Sequence, residues 1–152
     1  ITLHPYMGID SLQPFFDYED KLNFVLALTS NKGNTDFEKV KMEDGRFLFQ
    51  QVIEKCKSWN VHNNIGIVFG ATNPDELEDN LSSFDELYVL LPGVGAQGGS
   101  LESVVKTFKK HNRKNYIVNV SRAILYASDG LDFAEQSKNK LKSYNSEILE
   151  IV

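Results

Sequence analysis

One cysteine, Cys56, occurs in 152 residues, so an internal disulfide framework is excluded. No apolar run approaches the roughly 20 residues that span a bilayer. The amino terminus, Ile1-Thr2-Leu3-His4-Pro5-Tyr6, lacks the basic region and apolar stretch of a secretory signal. Positive charge is in short supply: 16 Lys+Arg against 21 Asp+Glu give a net charge of −5 and a pI of about 5.2. That excludes a general nucleic-acid binder but leaves room for a local basic pocket. His4, His62 and His111 stand too far apart for metal-ligand spacing. Neither a G-x-S-x-G nucleophile elbow nor a P-loop lysine occurs. A cytosolic location is expected. Because the chain opens on Ile1 with strand-like residues, it is expected to begin inside a larger protein.

What is present is ordinary globular material, 41% hydrophobic and 24% charged, in a length that predicts one domain over residues 1–152. Short apolar runs at Ile1–Leu3, Phe24–Leu28, Ile65–Phe69, Leu87–Leu91 and Tyr116–Val120 read as strands buried on both faces of a parallel sheet. Helical patterns lie between them. Arg46–Trp59 carries Leu48, Val52, Cys56 and Trp59 at helical spacing. Pro74 with Asp75 and Glu76 marks a helix start, and Ser100 caps Leu101–Phe108. Leu131–Val152 carries Phe133, Leu141, Tyr144, Ile148 and Ile151 largely on one stripe. This strand–helix alternation predicts an α/β fold, either an open doubly wound sheet or part of a (β/α)8 barrel. A whole barrel needs about 250 residues, so only a part fits.

In both architectures function collects at the carboxyl ends of strands. Thr29-Ser30-Asn31, Gly70-Ala71-Thr72, Pro92–Gly99 and Ser121-Arg122 stand there. The glycines of Pro92–Gly99 permit positive φ and close approach of backbone N–H groups to an anion, ahead of a helix start. Gly93, Gly95 and Gly98 match G-x-G-x-x-G, yet the acidic ribose ligand of a dinucleotide fold is missing from its expected distance. Arg122, beside a predicted strand, calls for an anion, either a ligand or an internal carboxylate. In barrels the last two strand-end loops often hold phosphate, which favours a phosphate monoester. Thr29-Ser30-Asn31 can read a polar ring or simply cap a turn. Asn31–Gly45 is a long polar loop of the kind used as a lid or binding loop. Cys56 and Met7 read as packing residues, and Lys106–Lys114 as a solvated basic face at a helix end.

These motifs carry a family resemblance. His4-Pro5-Tyr6-Met7-Gly8 with Asp10-Ser11-Leu12, Leu28-Thr29-Ser30-Asn31, Val68-Phe69-Gly70-Ala71-Thr72, Leu91–Gly99 and Asn119-Val120-Ser121-Arg122-Ala123-Ile124 occur in order over nearly the whole chain. The sequence resembles the carboxyl-terminal half of the orotidine 5′-phosphate decarboxylases, in the bacterial type 2 subgroup. The resemblance implies a partial (β/α)8 TIM barrel, about strands four to eight with their helices. It implies a cytoplasmic homodimeric lyase of pyrimidine (UMP) biosynthesis that converts orotidine 5′-monophosphate to UMP and CO2 without metal or organic cofactor. By position, Ser30 would meet the pyrimidine edge and Gln97 would bridge base and phosphate. The backbone near Gly95, Gly98 and Gly99, with the Arg122 guanidinium, would hold the phosphate. Thr29 and Gly70 would line the pocket.

The family's catalytic Asp-x-Lys-x-x-Asp signature, at the end of its third strand, precedes everything in this sequence. Asp17-x-x-Asp20-Lys21 has the wrong spacing and precedes a different strand, so no catalytic residue is assigned. His4 stands where the family has Asn and receives no role. The 152-residue chain alone is expected to be inactive and to associate with a second copy or with the missing half-barrel. The rival readings are a non-catalytic phosphate- or nucleotide-binding module and another phosphate-binding barrel enzyme such as an aldolase or isomerase.

Overall fold

Five parallel strands pair side by side in strict chain order in the computed structural model, which describes residues 1–84, 86–95 and 97–152. They are β1 (Thr2–Leu3), β2 (Asn23–Leu28), β3 (Ile65–Phe69), β4 (Tyr88–Pro92) and β5 (Tyr116–Asn119). The helices are α1 (Ile9–Phe16), α2 (Leu48–Trp59), α3 (Pro74–Asn80), α4 (Leu101–Lys110), α5 (Arg122–Leu125) and α6 (Phe133–Ile151). Strand order decides between the two architectures. A doubly wound sheet reverses direction at a switch point and carries helices on both faces. This sheet never reverses. One face of the strands (Val25, Ile67, Val89) shares a single buried cluster with Phe49 and Ile53 of α2, Leu77 of α3 and Val104 and Phe108 of α4. Parallel strands wound one way under one helical layer make an arc of a (β/α)8 barrel.

The other face is concave and layered. Register puts Phe24, Gly66 and Tyr88 in one row and Leu26, Val68, Leu90 and Ile117 in the next. A Cβ on Gly66 would lie 2.7 Å from the Phe24 ring, so the missing side chain makes room for that ring. The expectation of strands buried on both faces holds only for β3. In β2, β4 and β5 burial alternates, and Tyr88 and Ile117 stay 44% and 45% exposed. The reason is geometric: side chains alternate faces along a strand, and among the described residues no layer covers the concave face at Tyr88 and Ile117.

Other expectations shift in detail. Helix α2 starts at Leu48 rather than Arg46, and its buried stripe is Phe49, Ile53 and Cys56, while Leu48, Val52 and Trp59 are half-buried. In α6, Tyr144, Ile148 and Ile151 pack on the core, but Phe133 and Leu141 face outward. Met7 is exposed, not packed. Helix α1 was not anticipated, because it is short and contains Pro14. Ser100 caps α4 as expected, accepting the Ser103 N–H at 3.1 Å, and Pro74 opens α3. Among the described residues no helix is long and apolar enough to cross a membrane.

Candidate functional site

Adjacent strands bring their carboxyl ends together, so the polar loops meet. A register shift between Leu26 and Leu28 breaks the alternation of β2 just before Thr29 and re-aims the segment that follows. The Ser30 hydroxyl then donates to Oε1 of Gln97, from the loop after β4. Two glycines let these loops close. A Cβ on Gly70 would lie 2.6 Å from Ser30 N, and one on Gly93 would lie 2.7 Å from Ser30 Cβ. Gly70 is buried, so it supports the Ser30 backbone from behind.

Below Ser30, a network that sequence reasoning missed fixes the turn. The Thr29 N–H donates to Glu38 Oε2 at 2.6 Å, and Thr29 Oγ1 lies 2.9 Å from Glu38 Oε1. The Thr29 carbonyl accepts from Asn34 and Asn73, and the Ser30 carbonyl from Thr72 Oγ1. Asn34 and Glu38 belong to the Asn31–Gly45 segment. That segment is not structureless: it begins with a 3-10 turn, Lys32–Asp36, and ends in a bridge between Lys41 and Phe47.

The glycine loop and Arg122 share a cleft of about 80 Å³ lined by Pro92, Gly93, Val94, Gln97, Asn119, Ser121 and Arg122. Ala96, within this loop, lies outside the described residues. Gly93, Gly95 and Gly98 have φ of 100°, 79° and 91°, the left-handed region that glycine enters freely. The amides of Gly95, Gly98 and Gly99 donate within the loop, to the carbonyls of Gly99, Gly95 and Gly93. An anion held by those amides would have to displace these bonds. Arg122 opens α5, is exposed, and makes no ion pair with a described carboxylate. Its side chain borders the cleft.

Other candidates are accounted for structurally. Cys56 is buried, which pushes its thiol up to about 12, so it stays protonated and inert. Asp20 and Lys21 pair with each other at the opposite end of β2 from Thr29. In the basic stretch, Lys106 pairs with Glu102, Lys110 with Glu78, and Lys109 donates to the Ile151 carbonyl. Among the described residues no three His, Cys, Asp or Glu converge as a metal site.

An arc of a (β/α)8 barrel with a glycine–arginine cleft at its strand ends is thus the class of protein these observations define. The sequence pattern of the orotidine 5′-phosphate decarboxylase / HUMPS family matches residues 1–136, and the chain belongs to that family. It is 45% identical over 138 residues to an orotidine 5′-phosphate decarboxylase of Dehalococcoides mccartyi (strain CBDB1), covering 89% of this chain and 51% of the relative. The chain therefore spans about half the length of the curated relatives it matches. The solved UMP synthase of Leishmania donovani superposes with a TM-score of 0.79 at 38% identity, over 97% of this chain and 33% of that one. The OMP decarboxylase of the same organism superposes with a TM-score of 0.76 at 34% identity, over 98% and 56%.

Proposed function

We propose that this chain is the carboxyl-terminal part, about strands four to eight, of a single barrel domain in an orotidine 5′-phosphate decarboxylase of the type 2 subgroup. The whole enzyme converts orotidine 5′-monophosphate to UMP and CO2 in pyrimidine biosynthesis. It works in the cytoplasm as a homodimer, without a cofactor. The observation that carries this reading is the convergence at the ends of β2, β4 and β5, where Ser30 bonds to Gln97 and Gln97 shares a cleft with Arg122.

In this reading Arg122 binds the phosphate as a guanidinium, aided by the backbone of Gly95, Gly98 and Gly99 once their loop bonds open. Gln97 spans phosphate and base, and its Oε1 already accepts from Ser30. Ser30 meets the pyrimidine edge, and Thr29 and Gly70 hold Ser30 in place. Loss of CO2 leaves a carbanion at C6, which must take a proton. The family's Asp-x-Lys-x-x-Asp segment supplies that proton and the charges around the departing carboxylate. It lies outside the 152 residues. The residues here supply grip and orientation, and binding energy at the remote phosphate lowers the barrier at C6. The 152-residue chain alone does not turn over.

The test is a decarboxylation assay on the complete gene product, following loss of orotidine 5′-monophosphate absorbance, with Arg122→Ala beside it. Turnover that weakens by about tenfold or more in the variant, mainly through KM, supports both the activity and the phosphate position. A folded gene product without turnover removes the enzyme reading and leaves a phosphate-binding module.

A further inference from the structure

Ser30 can meet Gln97 only if the turn that carries it is held still, and the holds differ in kind. The Thr29 carbonyl takes amide N–H groups from Asn34 at 2.9 Å and Asn73 at 3.1 Å, and the Ser30 carbonyl takes the Thr72 hydroxyl at 3.0 Å. All three are neutral. The Thr29 amide alone is held by a carboxylate, Glu38 Oε2, at 2.6 Å, while Thr29 Oγ1 lies 2.6 Å from Asn31 Oδ1 and 2.9 and 3.0 Å from the two carboxylate oxygens. Glu38 is half-buried at the edge of a cavity of about 560 Å³ whose lining includes Tyr6, Phe37, Phe49 and Val52. A carboxylate in such surroundings needs hydrogen-bond donors. Glu38 pairs with no cation among the described residues, so Thr29 is the group it serves and the group that serves it.

We propose that Glu38 is a positioning residue: its carboxylate fixes Thr29 and, through the shared peptide, sets the Ser30 hydroxyl against Gln97 before any ligand arrives. The inference rests on the reading of Ser30, Gln97 and Arg122 given above. The chemistry favours the charged acceptor. A carboxylate only accepts, so the Thr29 N–H meets an oxygen in either orientation, whereas a carboxamide offers one oxygen and can turn its NH2 toward that donor. The Asn31–Gly45 segment, which delivers Glu38, thus acts on the site through the Thr29 turn.

The experiment is UMP binding by calorimetry to the complete gene product and to its Arg122→Ala, Ser30→Ala, Glu38→Ala and Glu38→Gln variants and the Glu38→Ala/Ser30→Ala double variant. Glu38→Ala is expected to weaken UMP about tenfold, the scale of one lost charge-assisted hydrogen bond, with Glu38→Gln between it and wild type. Because Glu38 acts through Ser30, Glu38→Ala adds little once Ser30 is Ala. A purely structural residue would lower the melting temperature and leave an additive cycle. Unchanged affinity in Glu38→Ala, or full additivity with Ser30→Ala, overturns the proposal. Should Glu38→Ala fail to fold, Glu38→Gln decides, and wild-type affinity there overturns it. Weakening by Arg122→Ala with no effect at Glu38 leaves the site reading standing without this proposal, while a wild-type protein that ignores UMP removes both.

Discussion

The Ser30 hydroxyl and Oε1 of Gln97 meet across 67 positions of sequence, and Gly93 lies directly beneath the contact. A Cβ on Gly93 would stand 2.7 Å from Ser30 Cβ and 3.1 Å from Gln97 Oε1. The backbone there cannot yield easily, because Gly93 sits at φ of 100° and its carbonyl accepts the Gly99 N–H at 3.0 Å. Gly93→Ala is therefore expected to cost about 1–3 kcal/mol in stability and to part Ser30 from Gln97, weakening UMP binding. Gly45→Ala is the control. Gly45 also has positive φ, at 86°, but nothing lies within 4 Å of its Cβ position. It should lose stability through φ strain alone and keep its ligand affinity. Urea unfolding and UMP titration on both variants separate the two effects.

Strand positions were legible because each apolar run is bounded by polar loops, while Gln97 drew notice among glycines and Arg122 as a cation directly after an apolar run. Glu38 was not. One acid inside a polar loop reads as a solvated charge, and its contact with Thr29 arises only when the loop folds back under β2. The phase of α2 was misjudged because Phe47-Leu48-Phe49 is continuously apolar, so period alone cannot choose between Leu48 and Phe49 as the inward residue. The bulge in β2 and the uncovered concave face depend on pairing and on what lies opposite the sheet, neither of which local pattern encodes.

Arg113 stands in the basic stretch yet behaves unlike its neighbours. It donates to the carbonyls of Leu81 at 2.6 Å, Phe84 at 2.9 Å and Leu87 at 3.3 Å. Its guanidinium also lies 5.6 Å from the Phe84 ring centroid and 5.9 Å from that of Phe108. A lysine cannot reproduce that planar fork. Arg113→Lys is expected to cost about 1–3 kcal/mol, read as a lower urea midpoint, because one ammonium cannot bond all three carbonyls of the α3–β4 connection. Lys114→Ala, two residues before β5, should change stability by less than about 0.5 kcal/mol, as an ordinary surface change does.

Acid should loosen the loop that carries Glu38. Its neighbour Lys39 bonds to Glu76 of α3. Partial burial of Glu76 pushes its carboxyl up, but the Lys39 hydrogen bond, with smaller help from its own backbone and the Lys39 charge, brings it below the ordinary 4.5. A carboxyl lowered on folding stabilises the fold fully above its unfolded value, and that contribution disappears as pH falls through the lowered one. Hydrogen exchange over residues 31–45 is therefore expected to accelerate as pH drops below 4.5, after correction for intrinsic rates. Lys39→Met should remove that step, leaving the loop equally open on both sides of the window. A wild-type profile that matches Lys39→Met would show that the pair does not hold the loop.

The concave face makes the boldest demand. The row Leu26–Val68–Leu90–Ile117 is apolar, and among the described residues no layer covers Tyr88 and Ile117, which remain 44% and 45% exposed. Strands β1 and β5 each leave one side unpaired. Unpaired edges beside an open apolar surface invite association. The isolated 152-residue chain is expected to self-associate at micromolar concentration, seen by light scattering. Tyr88→Lys with Ile117→Lys should shift it toward monomer. In the complete gene product the same two lysines should do the reverse of help, since a closed barrel would bury both charges without partners and folding would fail. A well-folded wild-type monomer of the isolated chain, or a complete gene product indifferent to the two lysines, would show that this face is not the inside of a barrel.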